Sequence, residues 1–424
     1  MVFVGILYNM DAIRPVKKVI WVNIIFFTVT TLFGVVGTFF YLICFGISIP
    51  EVLLALFYAI ATSTSITLGY HRLFAHNAFK ASALVRFLVL FFGAAAFEQS
   101  AFRWVSQHRE HHQFVDTDRD PYNIKKGFFY AHIGWLIFWE HPTHYENVTD
   151  LHKSRLIMHQ HRHYMIWSVV TGILIPVLIG ALTGHMLGAF LLAVCTRLTL
   201  VYHATFCINS VCHMFGKATY DIYSSAKDHW LAALITNGEG YHNYHHHFPG
   251  DYRNGVRWYQ WDPTKWIIAL LAHLGLARDL KRVSGFRIVA AQLAAENQRI
   301  EDILLASMEN PGALTFRDML QSQYERLKQT LSAWEHSARE YQAILRQNMA
   351  ARAEAKIAKI ERSAGLMERS AEAKIAKIER SAGTTTVLTE ARRQAALKSL
   401  AARRQFQETL AEWKSVTRAQ LQTV

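Results

Sequence analysis

Cysteine is scarce in this sequence, with four in 424 residues, and no two of them form a Cys-x-x-Cys pair. The sequence therefore indicates neither a zinc ribbon nor a disulfide framework. A signal peptide is also lacking, and we expect the first long apolar run, which follows Lys17-Lys18, to stay uncleaved. Only 18% of the residues are charged. The net charge of +13 does not indicate nucleic acid, because in so apolar a chain basic residues anchor loops and contact anionic lipid.

Long apolar runs, by contrast, are frequent, and crossing a bilayer takes about 20 residues. The run 81–96 is short and contains Arg86, so we expect a helix that lies along the membrane or is buried. The turn 46–50 carries no lysine or arginine, so the positive-inside rule puts the N-terminus and the residues after position 70 in the cytoplasm. We predict an all-α integral membrane protein with four transmembrane helices at residues 19–45, 51–70, 164–182 and 186–206.

Three histidine motifs stand beside these apolar runs: H-x4-H, H-x2-H-H and again H-x2-H-H. Neutral imidazole is a common ligand of iron, zinc, copper and nickel. Eight rings are too many for one ion and fit two, and an all-nitrogen pair of irons near a membrane suggests O₂ activation. Glu110 and Glu239 fit better as acceptors for ring N–H groups than as ligands. The eight candidate ligands are His71, His76, His108, His111, His112, His242, His245 and His246.

These motifs and their surroundings resemble the membrane-bound fatty acid desaturases, especially the Δ9 stearoyl-CoA desaturase type. The resemblance rests on LGYHRLFAH (68–76), WVSQHREHH (104–112), DTDRDPYN (116–123), GFFYAHIGW (127–135), NSVCHMFG (209–216) and NGEGYHNYHHHFP (237–249). It covers roughly residues 20–280 and implies a desaturase domain at 1–285 with its histidines in the cytoplasm. In the family nine histidines bind two irons and an asparagine holds one iron through water. Matching by motif adds His213 and Asn209.

The resemblance implies two Fe²⁺ ions, O₂ as co-substrate and a cis double bond, at Δ9, in a saturated acyl chain. No His-Pro-Gly-Gly haem motif occurs, so we expect a separate electron donor of the ferredoxin, rubredoxin or cytochrome b5 type. The acyl chain is carried by CoA, a lipid or a carrier protein. Trp139-Glu140 and Ser106-Gln107 stand where animal acyl-CoA enzymes have basic residues, and this weakens the case for CoA.

Small residues four apart on the second span predict the wall of a substrate tunnel, which in the family limits chain length. The alternative, equally weighted, is close packing of helices. The predicted tunnel residues are Ala55, Ala59, Ser63, Thr67 and Trp104.

Beyond residue 285 the composition becomes that of a long helix. Between Leu320 and Leu345 apolar residues alternate steps of four and three, the pattern of a coiled coil. Residues 353–365 and 371–383 are identical in sequence. We therefore predict a helical coiled-coil extension at 286–424 that packs within the chain or self-associates.

Two rival functions stay open from sequence. A lipid hydroxylase could use the same histidine scaffold, and a non-catalytic membrane adaptor could act through the coiled coil. Seven further histidines between 132 and 163 are expected at the surface or in packing, and His203 is expected to hydrogen-bond across helices. Asp116, Asp118 and Asp120 are expected either to cap a helix or to orient metal-ligand side chains through hydrogen bonds. A bacterial inner membrane is favoured over the endoplasmic reticulum.

Overall fold

A computed structural model describes residues 16–140, 145–306, 311–363 and 371–421. The chain forms two compact units, Met1–Val283 and Ser284–Val424.

Among the described residues of the first unit, four helices are long and apolar enough to cross a membrane. They are α1 (Trp21–Phe45), α2 (Ile49–Ala75), α7 (Tyr164–Leu182) and α8 (Met186–Met214), numbered in chain order with the shorter helices. Their large apolar side chains are widely exposed, as expected of a surface that faces lipid. The number of spans predicted from sequence is confirmed. Helix α3 (Ala83–Ala94) has only 12 residues, too few to cross.

Each of the four long helices contains a π-helical segment, in which the backbone hydrogen bonds close a wider turn. Two of these segments pack against each other where α1 meets α8. Gly34 allows the close approach, because a Cβ atom there would lie 2.8 Å from the carbonyl oxygen of Cys195. The hydroxyl groups of Thr38 and Thr196 lie 2.8 Å apart across the same contact. Small residues and hydroxyl pairs are typical contacts between membrane helices.

The shorter elements of the first unit lie between and after these helices. Two antiparallel strand pairs tie distant segments together: β1 (Val16–Lys17) with β3 (Trp139–Glu140), and β2 (Lys80–Ala81) with β4 (Ala277–Arg278). Single helical turns occur at Ile124–Lys126, Tyr130–Gly134, Trp135–Ile137 and Tyr145–Val148. The remaining helices are α4 (Ala101–Phe114), α5 (Thr149–His152), α6 (Arg155–Arg162), α9 (Trp230–Ile235), α10 (His242–His247) and α11 (Pro263–His273).

The largest apolar core surrounds the end of α2 and joins it to α3, α4, α6 and α11. Gln160 of α6 is fully buried within this core. Its amide nitrogen donates to the Tyr70 hydroxyl at 2.6 Å and to the Leu90 carbonyl at 2.9 Å, while its oxygen accepts from the Ala101 N–H. The Gln160 side chain therefore links α2, α3 and α4, and the first and last of these carry histidine motifs.

Arg197, inside α8, is 1% exposed and makes its contacts with protein. Its guanidinium donates to the carbonyl oxygens of Ala193 (3.0 Å), Gly172 (2.9 Å) and Ala95. It therefore satisfies backbone groups on α7 and at the end of α3 that lipid could not satisfy.

We expect Arg197→Met to destabilise the first unit by about 2–4 kcal/mol, because it removes three buried hydrogen bonds that contribute about 0.5–1.5 kcal/mol each. Thermal unfolding of the purified protein in detergent measures the change. Arg86→Met is the matched control, since Arg86 is only half-buried and its guanidinium donates to the single hydroxyl of Ser154 at 3.0 Å. Equal shifts in the two variants would contradict the assignment.

The described part of the second unit forms three helices, α12 (Gly285–Ala306), α13 (Pro311–Ser363) and α14 (Ala371–Leu421). Helices α13 and α14 run antiparallel, as the ion pairs Arg326–Glu412 and Lys398–Glu340 indicate. Leu320, Leu327 and Leu331 of the predicted stripe are buried in a core with Phe406 and Trp413. The stripe thus packs within the chain, while the coiled-coil geometry stays a prediction. The first copy of the repeat ends in Ala364 and Gly365, which lie outside the described residues. The second copy and the three threonines that follow it, Thr384–Thr386, belong to the uninterrupted helix α14.

Candidate metal centre

Nine histidines converge in two groups, in each of which the candidate ligand nitrogens lie within 4.8 Å of one another. Both histidines of the first motif belong to one group, whereas the second and third motifs each supply both groups, so the motifs do not correspond to separate sites. The five-histidine group is His71, His76, His108, His112 and His245, and the four-histidine group is His111, His213, His242 and His246.

The H-x4-H spacing of the first motif depends on the π-helical end of α2, Ser65–Ala75. In a regular α-helix, residues three or four apart share a face, and His71 and His76 are five apart. Here the N–H of His76 donates to the carbonyl of His71 at 3.1 Å, a bond across five residues. The wider turn brings the two rings to 4.8 Å between centroids. The π-helical backbone therefore allows two histidines that are five residues apart to direct their rings to the same place.

The ring nitrogens face one another at distances that suit ligation of a common ion. The Nε2 atom of His245 lies 2.9 Å from that of His71 and 3.0 Å from that of His112. In the other group, the Nε2 atom of His242 lies 3.0 Å from those of both His213 and His246. Nitrogens about 2.1 Å from one ion lie about 3.0 Å apart at a right angle and about 3.4 Å apart at a tetrahedral angle. The spacing of the donors therefore suits ligation of one metal ion by each group.

Three rings are oriented through their Nδ1 atoms by oxygen acceptors. Glu239 Oε2 lies 3.0 Å from Nδ1 of His71, and Asp120 Oδ1 lies 2.7 Å from Nδ1 of His111. Ser225 Oγ lies 2.6 Å from Nδ1 of His213. Such partners fix the tautomer and direct Nε2 towards a metal.

Glu239 belongs to a buried charge network behind the five-histidine group. Arg72 donates to Glu239 Oε1 at 3.0 Å and to Asp262 Oδ2 at 3.1 Å, and all three side chains are at most 3% exposed. Asn254 donates to Glu239 Oε2 at 2.6 Å. Burial opposes ionisation of Glu239, but the charges and hydrogen bonds of His71 and Arg72 outweigh it and lower its pKa to about 2. Glu239 therefore stays a carboxylate.

Burial among like rings favours the neutral form, which is the form that binds metal, for six histidines outside the membrane-spanning helices. Desolvation, followed by repulsion from neighbouring histidines, lowers the pKa of six rings below the usual value of 6.5. For His242 the pKa is about 3. The other five rings are His76, His108, His112, His245 and His246.

An apolar cavity reaches both histidine groups. It contains about 1040 Å³ of empty space, its open mouth included, and His71, His108, His111 and His242 form part of its wall. Trp104 stacks on His108 at 4.7 Å between ring centroids. The apolar part of the wall includes Phe26, Phe27, Ile66, Phe97, Trp135, Tyr202 and Phe206.

The predicted tunnel residues are only partly on this wall. Thr67 and Trp104 line the cavity, whereas Ala55, Ala59 and Ser63 are not among its lining residues. Ser63 is half-buried and accepts a hydrogen bond from Asn237 at 2.9 Å, which suits packing between segments. Asn209 lies on the wall, one helical turn before His213 on α8.

The supporting residues agree with the sequence expectations only in part. Glu110 accepts a hydrogen bond from Arg119 at 2.7 Å, whereas Asp120 is the carboxylate that lies at hydrogen-bond distance from Nδ1 of His111. Asp118 is exposed, as a solvated loop residue would be. His203 hydrogen-bonds across helices to His132 at 3.1 Å, as predicted. Arg72, Ser225, Asn254 and Asp262 were missed, and only the placement of Arg72 beside His71 could have signalled one of them.

Comparison with known proteins agrees with this geometry. Residues 47–278 match the family model described as fatty acid desaturase. Over 229 residues the chain is 45% identical to a probable acyl-CoA desaturase of Schizosaccharomyces pombe, covering 53% of this chain and 48% of that protein. It is 41% identical over 251 residues to acyl-CoA desaturase 1 of Saccharomyces cerevisiae, covering 58% and 49%.

A mammalian relative is matched over more of its length. The chain is 34% identical over 288 residues to the stearoyl-CoA desaturase of Sus scrofa, covering 65% of this chain and 78% of that protein. By contrast, it spans about half the length of either fungal relative. The chain belongs to the fatty acid desaturase family.

Proposed function

We propose that this protein is an O₂-dependent di-iron desaturase that introduces a cis double bond, at Δ9, into a saturated fatty acyl chain. The observation that carries the proposal is the convergence of nine nitrogen-donor rings in two groups, both of which reach the wall of an apolar cavity. An acyl chain needs such a dry channel, and all-imidazole coordination suits iron.

The two histidine groups would each hold one Fe²⁺ ion, with Asn209 contributing through water to the ion beside His213. When bound, the irons supply the O₂ chemistry that removes two hydrogens from the chain. The protein's own part is to hold one pair of methylenes near the centre and to exclude water. Trp104, stacked on His108, and Thr67 form the wall where the chain would pass the histidines.

The acyl carrier is proposed to be CoA, since the relatives are named acyl-CoA desaturases. The recognition of its phosphates must differ from that expected of animal enzymes. Glu140 is an exposed acid paired with Lys18 at 2.7 Å, and Ser106 and Gln107 are buried. A lipid or carrier-protein head group is the alternative.

We further propose that the histidines face the cytoplasm, where a separate one-electron donor would dock. The basic pair Lys17-Lys18 and the absence of lysine and arginine from residues 46–50 support this orientation. A bacterial inner membrane, and self-association through the second unit, stay predictions.

The test is the fatty-acid composition of a host that lacks its own desaturase. We expect a new cis-Δ9 monoene with the intact protein and none with His245→Ala, because His245 faces two rings of its group. His247→Ala is the control, since His247 is exposed and belongs to neither group. A hydroxylated acid would favour the rival hydroxylase. Unchanged lipids with iron bound and a reductant supplied would contradict the assignment.

A further inference from the structure

The loop 215–229 contacts all three segments that supply the four-histidine group. Those segments are α4 with the turn after it, α8 and α10, which carry His111, His213 and the pair His242 and His246. The N–H of Lys227 donates to the carbonyl of Cys212 on α8 at 2.6 Å, and the N–H of Tyr244 on α10 donates to Asp228 at 3.1 Å.

Asn243 shapes this loop from inside α10. Its side chain is fully buried, and its amide oxygen accepts from the backbone N–H groups of Thr219 (2.8 Å), Tyr220 (2.7 Å) and Asp221 (3.3 Å). Its amide nitrogen donates to the carbonyls of Asp221 (2.7 Å) and Ala226 (2.9 Å). One side chain thus makes five hydrogen bonds to loop backbone, so it fixes the path of residues 219–226.

That path places Ser225 between two of the histidine-bearing segments. The hydroxyl of Ser225 lies 2.6 Å from Nδ1 of His213, and its N–H donates at 2.8 Å to Asp116, just beyond α4. Asp116 in turn donates its own N–H to Asp120 at 3.1 Å, the carboxylate that orients His111. Asn243 is therefore connected to His213 and His111 through the backbone of the loop and the hydrogen bonds of Ser225, Asp116 and Asp120.

The five-histidine group has a separate support. His71 is oriented by Glu239, which is held by Arg72 and Asn254. Among the described residues, no hydrogen bond joins this network to Asn243 or Ser225.

We propose that Asn243 and Ser225 are positioning residues for the four-histidine group alone, so that the two metal sites can be weakened independently. The inference rests on the proposed two-metal centre. It adds that each metal site has its own set of supporting residues. Asn243 acts through the loop, and Ser225 acts by holding the ring of His213.

The experiment measures zinc binding to the purified full-length protein in detergent, with stoichiometry from elemental analysis and affinities from titration. We expect two ions for the unaltered protein. With Ser225→Ala or Asn243→Ala, one ion should bind as before and the other about 10–100-fold more weakly, the usual effect of losing such a partner. Ser225→Thr keeps the hydroxyl and should restore the second site. The retained site shows that the variants are folded.

Asn254→Ala is the matched control, since it removes a buried amide from the other network. His213→Ala is the reference for loss of the four-histidine site, and His76→Ala is the reference for loss of the five-histidine site. The absorption spectra of these two variants with cobalt in place of zinc identify which site another variant has weakened. We expect Ser225→Ala to match His213→Ala, and Asn254→Ala to match His76→Ala. Loss of both ions together, or of neither, in Ser225→Ala would overturn the inference. Failure of the unaltered protein to bind two ions would instead count against the proposed function.

Discussion

Arg72→Met should lower the free energy of unfolding by about 3–5 kcal/mol, the usual cost of leaving a buried charge without its partner. Arg72 is 1% exposed and lies between the carboxylates of Glu239 and Asp262, both of them buried. Its removal leaves two negative charges in a region that water does not reach. Because Glu239 also orients His71, metal binding by the five-histidine group should weaken as well. Urea unfolding in detergent, followed by circular dichroism, measures the first effect and zinc titration the second.

Lys18→Met provides the contrast for this prediction. Lys18 pairs with Glu140 at a similar distance, 2.7 Å, but both side chains are more than half exposed. An exposed pair contributes at most about 1 kcal/mol. Adding Glu239→Gln to Arg72→Met should recover part of the lost stability, since it removes one of the uncompensated charges. If Arg72→Met and Lys18→Met cost the same, the buried network is not what holds this part of the fold.

Acid should unfold the metal-free protein steeply between pH 7 and pH 5. Six histidines outside the membrane-spanning helices have a pKa held below 6.5, so they stay neutral in the folded chain. In the unfolded chain they take up protons below about 6.5. The unfolded state then binds more protons, and each ring lowers the free energy of unfolding by an amount that rises to about 1.4 kcal/mol per pH unit as the unfolded ring becomes fully protonated. Glu239 does not contribute in this window, because its pKa is about 2.

Unfolding midpoints at several pH values, with and without zinc, check this second prediction. Bound zinc should move the acid transition to lower pH, since metal competes with protons for the same nitrogens. His247→Ala should leave the pH dependence unchanged, because that residue is exposed and outside both groups. A midpoint that is the same at pH 7 and pH 5.5 would mean that the rings are not held neutral.

Hydropathy predicted the membrane-spanning helices well and their ends less well. The predicted spans 19–45 and 164–182 agree with Trp21–Phe45 and Tyr164–Leu182 within two residues. The other two helices extend beyond the predicted ends, to Ala75 and Met214. These extensions carry His71 and His213, whose polar surroundings lower the hydropathy although the helix continues. Hydropathy indicates which part of a helix contacts lipid, but it does not indicate the residue at which the helix ends.

The candidate ligands were predictable because histidine spacing is a local property, whereas their grouping was not. His111 and His112 are neighbours in sequence and belong to different groups. Neighbouring residues on a helix point about 100° apart, so the fold decides which group each one joins. Ser225 and Asp262 support the site from loops whose positions depend on contacts distant in sequence. No spacing rule indicates such residues.

The π-helical end of α2 constrains the length of the chain as well as its chemistry. Each residue in an α-helix turns the chain by about 100°. Inserting one residue between His71 and His76 would therefore swing His76 away from the other four rings of its group, even with every histidine retained. Substitution of an intervening side chain leaves that count intact, and loops elsewhere accept insertions at little cost. This segment should therefore reject the insertion of a single residue, whereas exposed loops of the same unit should accept one.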